Sequence, residues 1–293
     1  MTFARFLSLP ATPAALAIAG ALAGCAAAPA PSDTVGLAQA EAIVGAPDRT
    51  AADRTNDRRR KPAQMLAFIG IRPGMDALDV STGGGYTTEL LARAIGPAGH
   101  VYGQSQPRDA ALPAPRPSAS EGGEAPASSP APAAAASAPR KPADALAERQ
   151  RRMQAAGVAA APIAYVAARW DDPVPADLTP ARLDLVTLMF NYHDLGWLGV
   201  DRRAMNAAIF RALKPGGAYV IADHAGRPGT GISEAGTLHR IEEAFLRSEV
   251  EAAGFRLAAE GGFLRNPDDP RDRNTPEPPQ PKDEFVLKFV KPR

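Results

Sequence analysis

Apolar residues fall into short blocks separated by glycine and proline, and the spacing inside each block sorts it into strand or helix. Residues 75–80, 100–103, 164–168, 185–190 and 218–222 are apolar runs of strand length. Helical stretches lie between them. Pro62 opens a helix through Phe68, because proline is tolerated in a first turn, and Gly70 ends it. Leu90, Leu91 and Ala94 share one side of a helix over 87–95, stopped by Gly96-Pro97. Residues 145–155 read as a charged helix, and 202–213 as another, closed by Lys214-Pro215-Gly216-Gly217. Ile241, Ala244, Phe245 and Val250 make one face of a helix over 238–253, stopped by Gly254. Upstream, residues 34–44 read as a short helix, and the Arg- and Asp-rich residues 48–61 as a solvated connector that can be helical. The chain closes with two alternating stretches, 255–259 and 284–290, joined by a Pro/Asp-rich loop over 266–283. They predict a hairpin-like antiparallel end to the sheet. Strands alternating with helices predict an α/β fold, a mostly parallel seven-stranded sheet flanked by helices with an antiparallel last strand.

Two segments fall outside this pattern. Residues 105–145 hold 9 Pro, 14 Ala and 6 Ser in 41 positions and no aromatic residue. Such a composition buries too little apolar area to offset the entropy of ordering, so about 105–142 is expected to be a disordered insertion in a single domain over 33–293. Loop entropy grows slowly enough with length for a domain to tolerate it. At the amino terminus, Arg5 precedes an apolar run over 14–23, which is short for a membrane-spanning helix. It fits an export signal over 1–24. Leu22-Ala23-Gly24-Cys25 resembles the bacterial lipobox, which implies acylation of Cys25, a tether over 25–32 and an anchor made of lipid alone. Ala26 in place of Asp tilts that class towards the outer membrane, at its periplasmic face. The alternative is a plain signal or a mitochondrial-type leader, with Cys25 a bystander.

Composition narrows the chemistry. Lys and Arg total 33 against 32 Asp and Glu, a net charge of +1, which offers no support for a nucleic-acid partner. A single cysteine rules out an intrachain disulfide and any multi-cysteine metal cluster. The four histidines match neither zinc nor non-haem iron spacing, so no metal is expected. The strongest chemical signal is the turn after the first strand, Asp79-Val80-Ser81-Thr82-Gly83-Gly84-Gly85. Three glycines let the backbone turn tightly and approach a ligand. No G-K-[ST] follows, which excludes a phosphate-cradling Walker loop, and G-x-G-x-x-G is poorly matched. A dinucleotide-binding oxidoreductase is therefore a distant alternative.

The ordered set "GIRPGMDALDVSTGGGYTTELLARAIGPAGHVYG", "LDLVTLMFNYHD" and "ALKPGGAYVIADH" resembles the class I S-adenosylmethionine-dependent methyltransferases, in a bacterial branch of predicted methyltransferases. The resemblance covers about 62–104 and 142–293. It implies a Rossmann-like fold, S-adenosyl-L-methionine as cofactor, and a small-molecule or envelope-component acceptor. It places Asp79 at the end of the first strand and Ser81, Gly83, Gly84 and Gly85 in the cofactor loop, with Ser81 where the family has its first glycine. Gln104 stands where the family carries a ribose-binding acid, Asp171 or Asp172 where adenine is met, and Asn191 near the methionine end. His193 can act as a base, since an ordinary histidine titrates at about 6.5, or can be structural. His224 can share its rim, His100 reads as a surface residue, and the glycine-rich residues 226–236 as part of a substrate lid leading to His239. An exported protein with a cytosolic cofactor is a conflict, so a non-catalytic envelope lipoprotein that keeps the fold for ligand or partner binding is the alternative function.

Overall fold

The computed structural model describes residues 1–2, 34–107, 141–276 and 280–293. The expected signal beyond its first two residues, Cys25 and the tether lie outside the described residues, as do positions 108–140 of the expected insertion. The chain divides into two units, Met1–Ser32 and Asp33–Arg293. All that follows concerns the second.

Three helices precede the sheet: α1 (Leu37–Gly45), α2 (Ala51–Arg60) and α3 (Pro62–Ile69). The charged connector is thus a true helix. Thr50 caps it by accepting from the Asp53 amide at 3.1 Å, and Arg58, Arg59 and Arg60 face the negative end of its dipole. Pro62 and Gly70 bound α3 as predicted, Gly70 in the left-handed region at φ 72°. Then come β1 (Asp76–Val80), α4 (Tyr86–Ile95), β2 (His100–Ser105), α5 (Pro142–Ala155), β3 (Ile163–Ala167), β4 (Leu183–Met189), α6 (Tyr192–Trp197), α7 (Arg202–Ala212), β5 (Leu213–His224), α8 (Ala235–Leu238), α9 (Glu243–Ala252), β6 (Arg256–Gly261) and β7 (Glu284–Val290).

The strands form one seven-stranded sheet in the order β3-β2-β1-β4-β5-β7-β6. β1 to β5 pair in parallel, and β7 runs antiparallel to both β5 and β6. The fold is the Rossmann-like α/β arrangement that the pattern predicted. β6 and β7 pair antiparallel, but β7 inserts between β5 and β6 instead of lying at the edge. Its composition fits that place, since Phe285, Val286, Leu287 and Phe289 are all buried.

Alternating residues build one core on each face. Leu78, Val186, Leu188, Tyr219, Ile221, Leu287 and Phe289 join Met205 and Ile209 of α7 and Leu246 and Val250 of α9. Ala77, Leu185, Val220, Ala222 and Val286 join Leu66 and Ile69 of α3 and Leu91 and Ile95 of α4. Burial on both faces is why the central strands read as continuous apolar runs.

Two expectations are corrected. The helix over 238–253 is interrupted: α8 ends at Leu238, His239 adopts φ 49°, and Ile241 forms a bridge to Ala225 before α9 begins. The reason is Arg240, which is drawn wholly into the interior (see Discussion). The strand expected over 185–190 ends at Met189, and the Asn191-Tyr192-His193-Asp194 stretch after it leads into a short helix that the pattern did not predict.

Candidate functional site

In an open α/β sheet the ligand crevice opens where neighbouring strands lead off in opposite directions. Here that point lies between β1 and β4, since β1 has β2 on one side and β4 on the other. A cleft of about 400 Å³ sits there, lined among others by Asp79, Ser81, Thr82, Gly83, Gly84 and Asn191. That volume is in the range of small-molecule sites.

The loop after β1 is held from beneath. Ser81 has φ 60°, so it adopts the left-handed backbone that a glycine at this position would supply. The departure from the family's glycine is therefore one of side chain, not of backbone. The Ser81 hydroxyl donates to Asn191 Oδ1 at 2.7 Å, and its amide donates to Gln104 Oε1 at 2.9 Å. The Gln104 Nε2 donates to the Ala168 carbonyl at 2.6 Å. Both ends of this buried amide are thus engaged by the protein, and Gln104 straps the loop to the ends of β2 and β3. Asp79 is buried at the floor, accepting from Thr88 Oγ1 at 2.6 Å and Thr187 Oγ1 at 2.8 Å. Burial pushes its carboxyl up to about 6 despite these two donors.

The three glycines do different work. A Cβ on Gly84 would meet no atom within 4 Å among the described residues beyond its chain neighbours, so its backbone is the open part of the loop. Gly85, at φ 77°, has no such room: a Cβ would stand 2.5 Å from Leu146 Cδ2. Gly103 on β2 is hemmed in by the same side chain, at 2.6 Å from Leu146 Cδ1. Gly85 and Gly103 therefore seat α5 against the loop, while Gly83 and Gly84 line the cleft.

Asp171 and Asp172 do not line the cleft. Asp171 makes a two-pronged pair with Arg169 at 2.9 and 2.8 Å, and that guanidinium holds its carboxyl below the usual range. The Asp172 amide donates to the Arg169 carbonyl.

Sequence reasoning missed two arginines. Arg149, on α5, donates to the Gly84 carbonyl at 2.6 Å and pairs with Asp53 at 2.8 Å. Arg60, the last residue of α2, lies 4.5 Å over the Phe190 ring and lines the cleft. Its Nε is buried without a hydrogen-bond partner among the described residues, and burial followed by the neighbouring Arg59 lowers its pKa. The only sequence signal for Arg60 was its place in an Arg-rich stretch.

Beside the cleft, behind Phe190, the histidines gather. The ring of His193 lies 5.3 Å from that of His224 and 5.6 Å from that of His239. His193 is buried, with Nδ1 2.6 Å from Asp223 Oδ1 and Nε2 3.2 Å from Asp194 Oδ1. Burial opposes its charging, but Asp223 and Asp194 outweigh this and raise its pKa to about 9. His193 is therefore not a ready base at neutral pH, and it is not among the residues lining the cleft. His224 goes the other way, held well below the ordinary value by burial. His100 lies exposed on β2, paired with Asp76 at 3.0 Å.

Residues 39–110, about a quarter of the chain, match the protein-L-isoaspartate(D-aspartate) O-methyltransferase family. No curated protein sequence matches the chain. Among solved structures it is similar to an S-adenosylmethionine-dependent methyltransferase from Aquifex aeolicus, at 15% identity and TM-score 0.49, over 87% of this chain and 98% of that one. It is also similar to a TehB-like S-adenosylmethionine-dependent methyltransferase from Corynebacterium glutamicum, at 15% identity and TM-score 0.42, over 82% and 98% of the two chains. The [4+2]-cyclase SpnF is a further neighbour, at 15% identity and TM-score 0.47, over 80% and 82%. The fold assignment rests on this chain's own strand order.

Proposed function

We propose that the cleft binds S-adenosyl-L-methionine and that the chain is a methyltransferase acting on a small-molecule or envelope-component acceptor. The observation that carries this reading is Arg60. A cation at the edge of a cleft whose buried Nε has no hydrogen-bond partner among the described residues calls for an anion, because an unsatisfied buried donor costs about 1–3 kcal/mol. The amino-acid carboxylate of the cofactor supplies one. Asp79 lines the same cleft and, where ionised, favours the cofactor's cationic groups, and the open backbone at Gly84 allows close approach. The cofactor, when bound, supplies an activated methyl group for in-line displacement. This chain's residues bind and orient it.

Calorimetric titration tests the reading. S-adenosylmethionine is expected to bind, and Arg60→Met to weaken it by about 1.5–3 kcal/mol, about 10- to 100-fold. 5′-Methylthioadenosine, which lacks the carboxylate, is expected to bind both proteins alike. Equal weakening of both ligands would remove the carboxylate contact. No heat from folded protein would favour the second reading, a non-catalytic ligand-binding lipoprotein. One observation supports that reading: Gln104, at the ribose-binding place, has both ends of its amide engaged within the protein.

The address is a second part of the proposal. Leu22-Ala23-Gly24-Cys25 supports export and acylation at Cys25, with the anchor made of lipid. Metabolic labelling with a fatty acid is expected to mark the chain and to fail for Cys25→Ala. Equal label on both would exclude Cys25. Among the described residues no helix is long and apolar enough to cross a membrane.

A further inference from the structure

The residues behind Phe190 make an arrangement that methyl transfer alone does not require. Two residues separate β4 from α6, which carries His193 and Asp194, while His239 caps α8. Asp223, fully buried near the end of β5, grips His193 twice: Oδ2 accepts from the His193 amide at 2.8 Å and Oδ1 meets Nδ1 at 2.6 Å. An ionised carboxylate only accepts, so this contact places a proton on Nδ1, and Nε2 is the nitrogen that holds either a second proton or an ion. Nε2 faces another acceptor, Asp194 Oδ1, at 3.2 Å. His239 Nδ1 meets the same oxygen at 3.0 Å, and all three ligand atoms lie within 4.8 Å of one another.

An acceptor opposite an acceptor needs positive charge between them. We propose that His193, Asp194 and His239 form a binding site for a divalent transition-metal ion. Ligands about 2.1 Å from an ion stand about 3.0 Å apart at right angles and about 3.4 Å apart in a tetrahedron, and Asp194 Oδ1 keeps 3.0 and 3.2 Å from the two imidazoles. Asp223 then occupies the outer position that orients a metal-binding histidine through its far nitrogen. The ligand oxygen of Asp194 also accepts from Trp197 Nε1 at 3.1 Å, and its other oxygen is steadied by Asn191 Nδ2 at 3.0 Å. Two carboxylates, Asp194 and Asp223, match the ion's charge. Two imidazoles with one carboxylate suit zinc, iron(II) or cobalt(II), and disfavour magnesium and calcium, which prefer all-oxygen sets. Three protein ligands leave positions for water or for an oxygen or nitrogen atom of an acceptor. The chain Ser81–Asn191–Asp194 connects the site to the cleft by hydrogen bonds of 2.7 and 3.0 Å. The site does not depend on the cofactor reading.

Cobalt(II) titration of the full chain, followed by visible absorption, and zinc equilibrium dialysis test it without cofactor or activity. One ion per chain is expected, with ligand-field bands of an imidazole-bound ion. His239→Ala is expected to weaken binding by about tenfold or more, while its metal-free thermal midpoint stays near that of the parent. Asp194→Asn, which keeps the side-chain shape, is the second variant and is expected to lose binding too. His100→Ala, on a distant exposed face, is expected to bind as the parent does. Absence of stoichiometric binding, or binding that survives both His239→Ala and Asp194→Asn, overturns the site and leaves His193 as an imidazolium held between two carboxylates.

Discussion

Arg240→Ala is expected to lower the unfolding free energy by about 3–5 kcal/mol, the cost of leaving a buried charge unpaired. Arg240 is wholly buried. Its Nη1 and Nη2 donate to Asp269 at 2.8 and 3.1 Å, Nη1 also reaches the Ala225 carbonyl at 3.0 Å, and Nε the Arg273 carbonyl at 3.1 Å. Asp269, also buried, accepts from the Asp283 and Arg271 amides at 2.6 and 3.0 Å. Burial works against its charge, but those amides and Arg240 together hold its carboxyl below the usual range. Truncation removes the cation and strands the carboxylate. Arg240→Lys is expected to recover little, since one ammonium cannot serve two carboxylate oxygens and two carbonyls at once. Chemical denaturation reads the effect, and a loss below about 1 kcal/mol would show that the loop after β6 stands without this pair.

That pair also explains where sequence reading ran out. The elements from Pro62 to Gly103 were legible because their signals are local: a proline at a first turn, an apolar strand, glycines in a turn, an amphipathic helix. The helix over 238–253 misled for the opposite reason. Leu238-His239-Arg240-Ile241 looks like one more helical turn with a solvated arginine, and Arg240's partner lies 29 residues downstream in a loop without periodicity. The histidine cluster was hidden likewise, since His239 reaches Asp194 across 45 residues. The position of β7 was half legible. Alternation showed that it pairs antiparallel, but only burial of Phe285, Val286, Leu287 and Phe289 fits its place between β5 and β6. Gln104 was legible as a departure from the family acid, but not as a strap, because its partners Ser81 and Ala168 come from two other segments.

Arg149→Met is the substitution expected to damage stability and ligand binding together. Methionine keeps most of the aliphatic stem, so the change isolates the guanidinium. That group pairs with Asp53 and Glu89, whose side chains are 3% and 1% exposed, and holds the Gly84 carbonyl at 2.6 Å. Glu89 keeps Arg93 and Arg152 as partners, whereas the Asp53 carboxylate keeps, among the described residues, the Thr50 hydroxyl as donor and the nearby charge of Arg49. The expected loss is about 3 kcal/mol at neutral pH, the low end for breaking a buried pair. Its pH dependence has a definite sign. Burial raises Asp53's pKa, but hydrogen bonds from Arg149 and Thr50 outweigh this and hold it below 3.8. The pair therefore stabilises the parent above 3.8, and that contribution fades as pH falls through the lowered value. Parent and variant are expected to differ most near neutrality and to converge in acid, where protonated Asp53 has no charge to compensate. Denaturation at neutral and acidic pH reads this, and a gap that widens in acid would refute the role given to Asp53. S-adenosylmethionine affinity is expected to fall as well, by about tenfold, because the Gly84 carbonyl loses its charged donor and the loop its fixed place beside α5. A variant that is destabilised but binds as the parent does would show that Leu146, seated between Gly85 and Gly103, holds the loop without the arginine.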